Sequence, residues 1–113
     1  MNTANVTILG KEYPVIFNLK ALIGFEDIVD HSFFNDKFEK MSSRIALIVA
    51  AIGAVNPNAD ITAKQLLEIS DWQTAKDLVK AYTTVMELAG EFFRIPAVEP
   101  KEEPAAEGES QKN

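Results

Sequence analysis

Asn5-Val-Thr-Ile-Leu9, Gly10-Lys11, Glu12-Tyr-Pro-Val-Ile-Phe17 and Asn18-Leu-Lys-Ala-Leu-Ile-Gly-Phe-Glu-Asp-Ile-Val29 follow one another without a break. Asn5–Leu9 and Glu12–Phe17 are rich in β-branched and aromatic residues, the composition of strands. Gly10-Lys11 between them predicts a two-residue hairpin loop with glycine first, the II′ pattern. Alternation puts Val6 and Ile8 on one face, and Tyr13, Val15 and Phe17 on one face of the partner strand. Pro14 has no N–H to give a ladder, so its strand must face an edge. A lone hairpin is marginal in water, so this one must lie on helices. Asn18 then caps a helix over Leu19–Val29. Lys20, Gly24 and Asp27 form its only polar strip. Most of this helix must therefore be covered, by the rest of the chain or by a partner.

The remaining chain reads as helices joined by short connections. Asp30–Lys40 is a linker carrying Phe33, Phe34 and Phe38. Ser42 or Ser43 is the expected cap of a second helix that runs to about Val55. Beyond Arg44 this helix is apolar all round, the mark of a central helix. Asn56-Pro57-Asn58 stops it. Thr62 with Gln65 has the capping-box spacing and opens a short helix over Ala63–Ile69. Ser70 with Gln73 repeats that spacing before the longest helix, about Asp71 to Arg94, which Pro96 terminates. Its expected buried stripe is Ala75, Leu78, Val79, Tyr82, Val85, Met86, Ala89, Phe92 and Phe93. Trp72 falls at the edge of that stripe. The fold class is therefore α+β, mostly α: an N-terminal β-hairpin packed on a bundle of about four helices. One folded domain is expected over residues 1–96. The segment 97–113 carries five Glu, two Lys and two Pro, with Val98 its only large apolar residue. It is expected to be a disordered acidic tail.

Bulk composition excludes several functions. Net charge is −6, and the 11 basic residues are scattered rather than clustered. Phosphate binding needs clustered Lys and Arg, so nucleic acid is not the expected partner. The same acidity disfavours anionic membranes. There are no cysteines, which removes disulfides, thiolate catalysis and Cys-based zinc sites and fits a reducing cytoplasm. Met1-Asn-Thr-Ala lacks the basic region and apolar run of a signal peptide. The longest apolar run, Ile45–Val55, is roughly half the ~20 residues that a membrane span needs.

The residues that usually carry chemistry do not assemble into a motif. His31 is the only histidine. It follows Asp30 and reads as a surface or capping residue. Glu26, Asp27, Asp30 and Asp36 lack EF-hand spacing and read as a solvated acidic face. Gly10, Gly24, Gly53 and Gly90 are isolated, so no phosphate loop is formed. The expectation is a non-enzyme with no metal and no cofactor. Glu26, on the apolar side of its helix, has three readings: a rim residue pointing outward, a partner anchor, or a buried carboxylate bonded to hairpin backbone. Phe33 and Phe34 supply either an exposed patch or core packing.

Tyr13-Pro14, Phe17, Ala21-Leu22 and Phe25-Glu26 together resemble the N-terminal signature of tail assembly chaperones from long-tailed bacteriophages and prophages. In that family a short strand leads into a helix carrying Ala-Leu and then Phe-Glu. The match covers less than a fifth of the chain. A mostly helical body and a charged Pro/Glu tail also fit. The resemblance implies binding to the tape measure protein, which must stay soluble while the tail tube polymerises around it. It also implies the host cytoplasm as location and the tail tube protein as a second candidate partner; homo-oligomerisation is left open. Partner-binding residues expected on this reading are Leu19, Leu22, Ile23, Phe25, Glu26, Phe33 and Phe34. The alternative is a small structural virion component, such as a head–tail connector or neck protein, and a further one is a small cytosolic regulator. Many such chaperones have a longer form made by ribosomal frameshifting. Gln111-Lys112-Asn113 is compatible with a slippery A-AAA-AAY heptamer. Codons CAA, AAA and AAY are expected there, and a CAG or AAG in the gene removes this slip site.

Overall fold

A computed structural model describes residues 3–68 and 71–94, together with two paired two-residue strands, Gly108–Glu109 and Gln111–Lys112. The tail expected over 97–113 and the stop at Pro96 otherwise lie outside the described residues. The first element is an antiparallel hairpin of β1 (Thr3–Ile8) and β2 (Lys11–Ile16). Four α-helices follow: α1 (Leu19–Val29), α2 (Met41–Val55), α3 (Ala63–Leu67) and α4 (Trp72–Phe93). A 3-10 turn at Phe33–Asn35 lies between α1 and α2. The class is the expected one, α+β and mostly α.

The hairpin turn differs from expectation by one residue. Ile8 pairs with Lys11, so the loop is Leu9-Gly10. Both residues have positive φ, 55° and 77°, which is type I′ rather than II′. Glycine takes this conformation freely, whereas leucine does so under strain. The pairing Val6↔Tyr13 and Ala4↔Val15 still places the apolar residues on one face. Val6, Ile8 and Val15 are buried there, and Phe17 follows them into the core. Pro14 lies opposite Asn5. Counting from the bonded pair that closes the turn, this is a non-bonded position. The missing N–H thus falls on the outer edge of β2, as expected of a strand proline.

α2 is the central element and packs against α1, α3, α4 and β2. Ile45, Ala46, Leu47, Ile48, Ala51 and Ile52 are almost wholly buried. Each large one contributes roughly 1.5–3 kcal/mol relative to exposure. Its N-cap is Lys40, with no side-chain bond, and neither Ser42 nor Ser43 caps it. Ser43 is buried in the first turn and bonds elsewhere. Asn18 does cap α1, its Oδ1 accepting from the Ala21 N–H at 2.9 Å. Gly24 is not part of a polar strip: a methyl group there would touch the Ala50 side chain at 3.5 Å. Small residues let α1 and α2 approach closely at that point. The solvent face of α1 instead carries Leu19, Lys20, Ile23, Asp27 and Ile28.

Thr62 and Gln65 form the expected capping box on α3. Ile69 and Ser70 lie outside the described residues. The cap of α4 is Asp71, whose carboxylate accepts from the Thr74 N–H and hydroxyl, each at 2.8 Å. These bonds, the backbone one first, hold its carboxyl below the usual range. The buried stripe of α4 is Thr74, Leu78, Ala81, Val85, Leu88 and Ala89. It is rotated from the expected stripe, since Val79, Phe92 and Phe93 are exposed and Ala81 and Leu88 take their place. Trp72 is exposed, not at the core edge. The rotation arises because α4 covers both β1 and α2, and small alanines suit that double contact. Replacing strained Leu9 by asparagine should stabilise the fold by about 0.5–1 kcal/mol. A higher urea midpoint at unchanged slope is the expected reading, and a lower one rules out the type I′ turn.

Candidate functional site

The α1–α2 connection concentrates the polar side chains that sequence reading singled out. α1 ends where Asp30 turns left-handed, at φ 63°. Two N–H groups of the following 3-10 turn then need partners. The Glu26 carboxylate accepts from the Phe33 N–H at 2.8 Å, and Ser32 Oγ from the Phe34 N–H at 3.2 Å. Glu26 is thus half-buried and committed to loop backbone, neither a free rim residue nor bonded to the hairpin.

Asp36 is the hub of the next stretch, with its side chain 7% exposed. Its Oδ1 accepts from the Phe38 N–H at 2.7 Å, and its Oδ2 accepts from Ser43 Oγ at 2.7 Å. His31 Nε2 lies 2.7 Å from the same Oδ2, so the histidine's partner is Asp36 and not the adjacent Asp30. Burial pushes the Asp36 carboxyl up. The bonds from Ser43, His31 and Phe38, with the charge of His31, outweigh that and hold it below the usual range. Phe38 has φ 56°, a strained value for a bulky residue. Arg44 Nε donates to its carbonyl at 2.7 Å while the guanidinium lies 5.0 Å over the Tyr82 ring.

Ser43, His31 and Asp36 are the residue types of a hydrolase triad, but their connectivity is wrong for one. Nucleophilic catalysis needs serine bonded to histidine, and histidine to aspartate. Here serine and histidine bond to the same carboxylate oxygen. The arrangement fastens a loop to α2 and presents no activated hydroxyl. Among the described residues, no group of three or more His, Asp or Glu is placed to hold a metal ion.

What the network fastens is aromatic. All seven phenylalanines of the chain fall in one connected cluster, with ring centroids 5.1–5.9 Å apart. Phe17, Phe25, Phe33 and Phe38 are its buried part, and Phe34, Phe92 and Phe93 its exposed end. Of the seven residues expected to bind a partner, Leu22, Phe25 and Phe33 are core residues and unavailable. Glu26 is occupied. Leu19, Ile23 and Phe34 are exposed, at 61%, 49% and 69%. Phe92 and Phe93, which sequence periodicity assigns to the core stripe, join Phe34 at the surface. The i, i+3, i+4 pattern gave no signal for this, because it names a helix face without saying how completely a neighbour covers it: both rings pack on Phe17 and still keep a third or more of their surface open.

The chain matches no protein-family model, no curated protein and no solved structure.

Asp36 makes stability depend on pH in a definite sense. Its folded-state value lies below the unfolded value of 3.8. Its contribution is therefore complete above the unfolded value and is lost as pH falls through the folded one. Asp36→Ala leaves Ser43 Oγ and the Phe38 N–H without their acceptor, at an expected cost of about 1–3 kcal/mol at neutral pH. Denaturant titrations of parent and variant should converge as pH drops below about 4. A difference that persists unchanged in strong acid would contradict the assignment.

Proposed function

We propose that this chain is a non-enzymatic binding protein, a tail assembly chaperone of a long-tailed bacteriophage or prophage acting in the host cytoplasm. It holds the tape measure protein soluble until the tail tube polymerises around it. The observation that carries the reading is the exposure of large apolar side chains on an acidic body. Leu19 and Ile23 stand on the outer face of α1, and Phe34, Phe92 and Phe93 form the open end of the aromatic cluster. Contiguous exposed aromatics mark binding surfaces in soluble proteins. The charge of −6 keeps such a surface from self-association. Aromatic rings fixed by their buried neighbours bind at low entropic cost, which suits a client of many similar amphipathic helices. The N-terminal resemblance adds the identity of the client. No helix among the described residues is long and apolar enough to cross a membrane.

Co-expression with the tape measure protein of the same phage tests the proposal. The parent chain is expected to raise the soluble fraction of that protein and to co-purify with it. A Leu19→Ser, Ile23→Ser, Phe34→Ser variant removes exposed residues only, each at a cost within about 0.5 kcal/mol. It should keep the parent's circular dichroism and lose the client. Failure of the parent to solubilise or retain the tape measure protein sinks the chaperone reading.

A further inference from the structure

The first turns of α4 carry Trp72, Ala75, Lys76, Val79 and Lys80 on one side, at the spacing of a single helix face. With Met41 at the start of α2 they line a groove of 420 Å³. A second hollow of 250 Å³ shares Met41 and Ala75 and continues to Leu66 and Leu67 of α3. Trp72, the largest side chain in the protein, is 76% exposed, and Met41, Leu67 and Val79 are exposed beside it. A scattered exposed leucine needs no explanation, but a continuous apolar groove does.

Charge selects the occupant. Among the described residues, the charged side chains lining the groove are both lysines, and neither Lys76 nor Lys80 makes an ion pair there. Their methylene stems can cover apolar surface while the ammonium groups stay at the rim. The groove thus reverses the sign of a chain whose net charge is −6. A second copy fits poorly, since a twofold contact joins the same patch of both copies, and that patch offers lysines with no described carboxylate to pair with them. A bilayer surface is flat and does not fill a slot between helices.

We propose that the Trp72 groove takes an amphipathic helix from a partner protein. Large aliphatic side chains of that helix seat on Trp72 and Val79, and flanking Glu or Asp residues pair with Lys76 and Lys80. The inference rests on the reading of the chain as a binding protein and adds a second contact surface, on α2, α3 and α4 rather than on α1.

Trp72 is the only tryptophan, so its fluorescence reports on this groove alone. The full chain is titrated with a synthetic helical peptide carrying leucines at i, i+3, i+4 and i+7 between glutamates. The same peptide with lysine for glutamate, and vesicles of anionic phospholipid, are titrated in parallel. The acidic peptide should shift Trp72 emission to the blue and saturate. Lys76→Glu with Lys80→Glu should weaken it by about tenfold and reverse the preference between the two peptides. No shift with either peptide, equal binding of both, or a shift with vesicles alone overturns the proposal. So does a free-chain emission that is already blue and reddens on dilution, which assigns the groove to a second copy. No tape measure protein enters the experiment, so its failure is separable from failure of the chaperone reading.

Discussion

A helix that is apolar on every side exists in water only if something covers every side. α2 imposes that condition on the whole protein. Its residues from Ile45 to Ile52 face outward in all directions and are almost all buried. The hairpin, α1, α3 and α4 are the cover. The hairpin cannot stand alone and α1 is too apolar to be free, so each meets its own need by meeting that of α2. The close contact of Gly24 with Ala50, and the alanines of α2 and α4, show how near the covering elements must come.

The joint between α1 and α2 is where this packing is fixed. The chain must reverse within the segment Asp30–Lys40 while delivering Phe33 and Phe38 to the core. It does so with two left-handed residues, Asp30 and Phe38, and with carboxylates that take up the freed backbone N–H groups. Strain at Phe38 persists because Asp36, Arg44 and the surrounding rings hold it on both sides. Residues that resemble catalytic types by name are thereby engaged in holding a loop. Their hydrogen-bond geometry, not their identity, separates the two roles.

The same economy leaves apolar surface uncovered at defined places. Phe92 and Phe93 pack on buried Phe17 yet keep part of their rings at the surface at one end of α4, while Trp72 and Val79 remain open at the other. α1 has only one face turned to α2, so Leu19 and Ile23 face water. At the aromatic end the exposed rings have a buried neighbour, since Phe34 and Phe93 both pack on Phe33. The result is an acidic body that keeps large apolar side chains at its surface.

The sequence alone determined the element order, the cap residues Asn18 and Thr62, the centrality of α2 and the inward face of the hairpin. Those follow from local chemistry and from periodicity, which act over a few residues. Only the tertiary structure decided which apolar residues are core and which are surface. Leu22, Phe25 and Phe33 were indistinguishable from Leu19, Ile23 and Phe34 by type, yet the first three are buried and the last three exposed. The physical reason is that one helix face has one neighbour, and periodicity names the faces without naming the neighbour. The turn register, the rotation of the α4 stripe and the partner of His31 were decided in the same way. Each depends on contacts between residues that are distant in sequence or on competition between nearly equal local choices. The opening segment from Asn5 to Val29 thus set the fold, while the packing of α2 and α4 set which apolar residues that fold leaves at the surface.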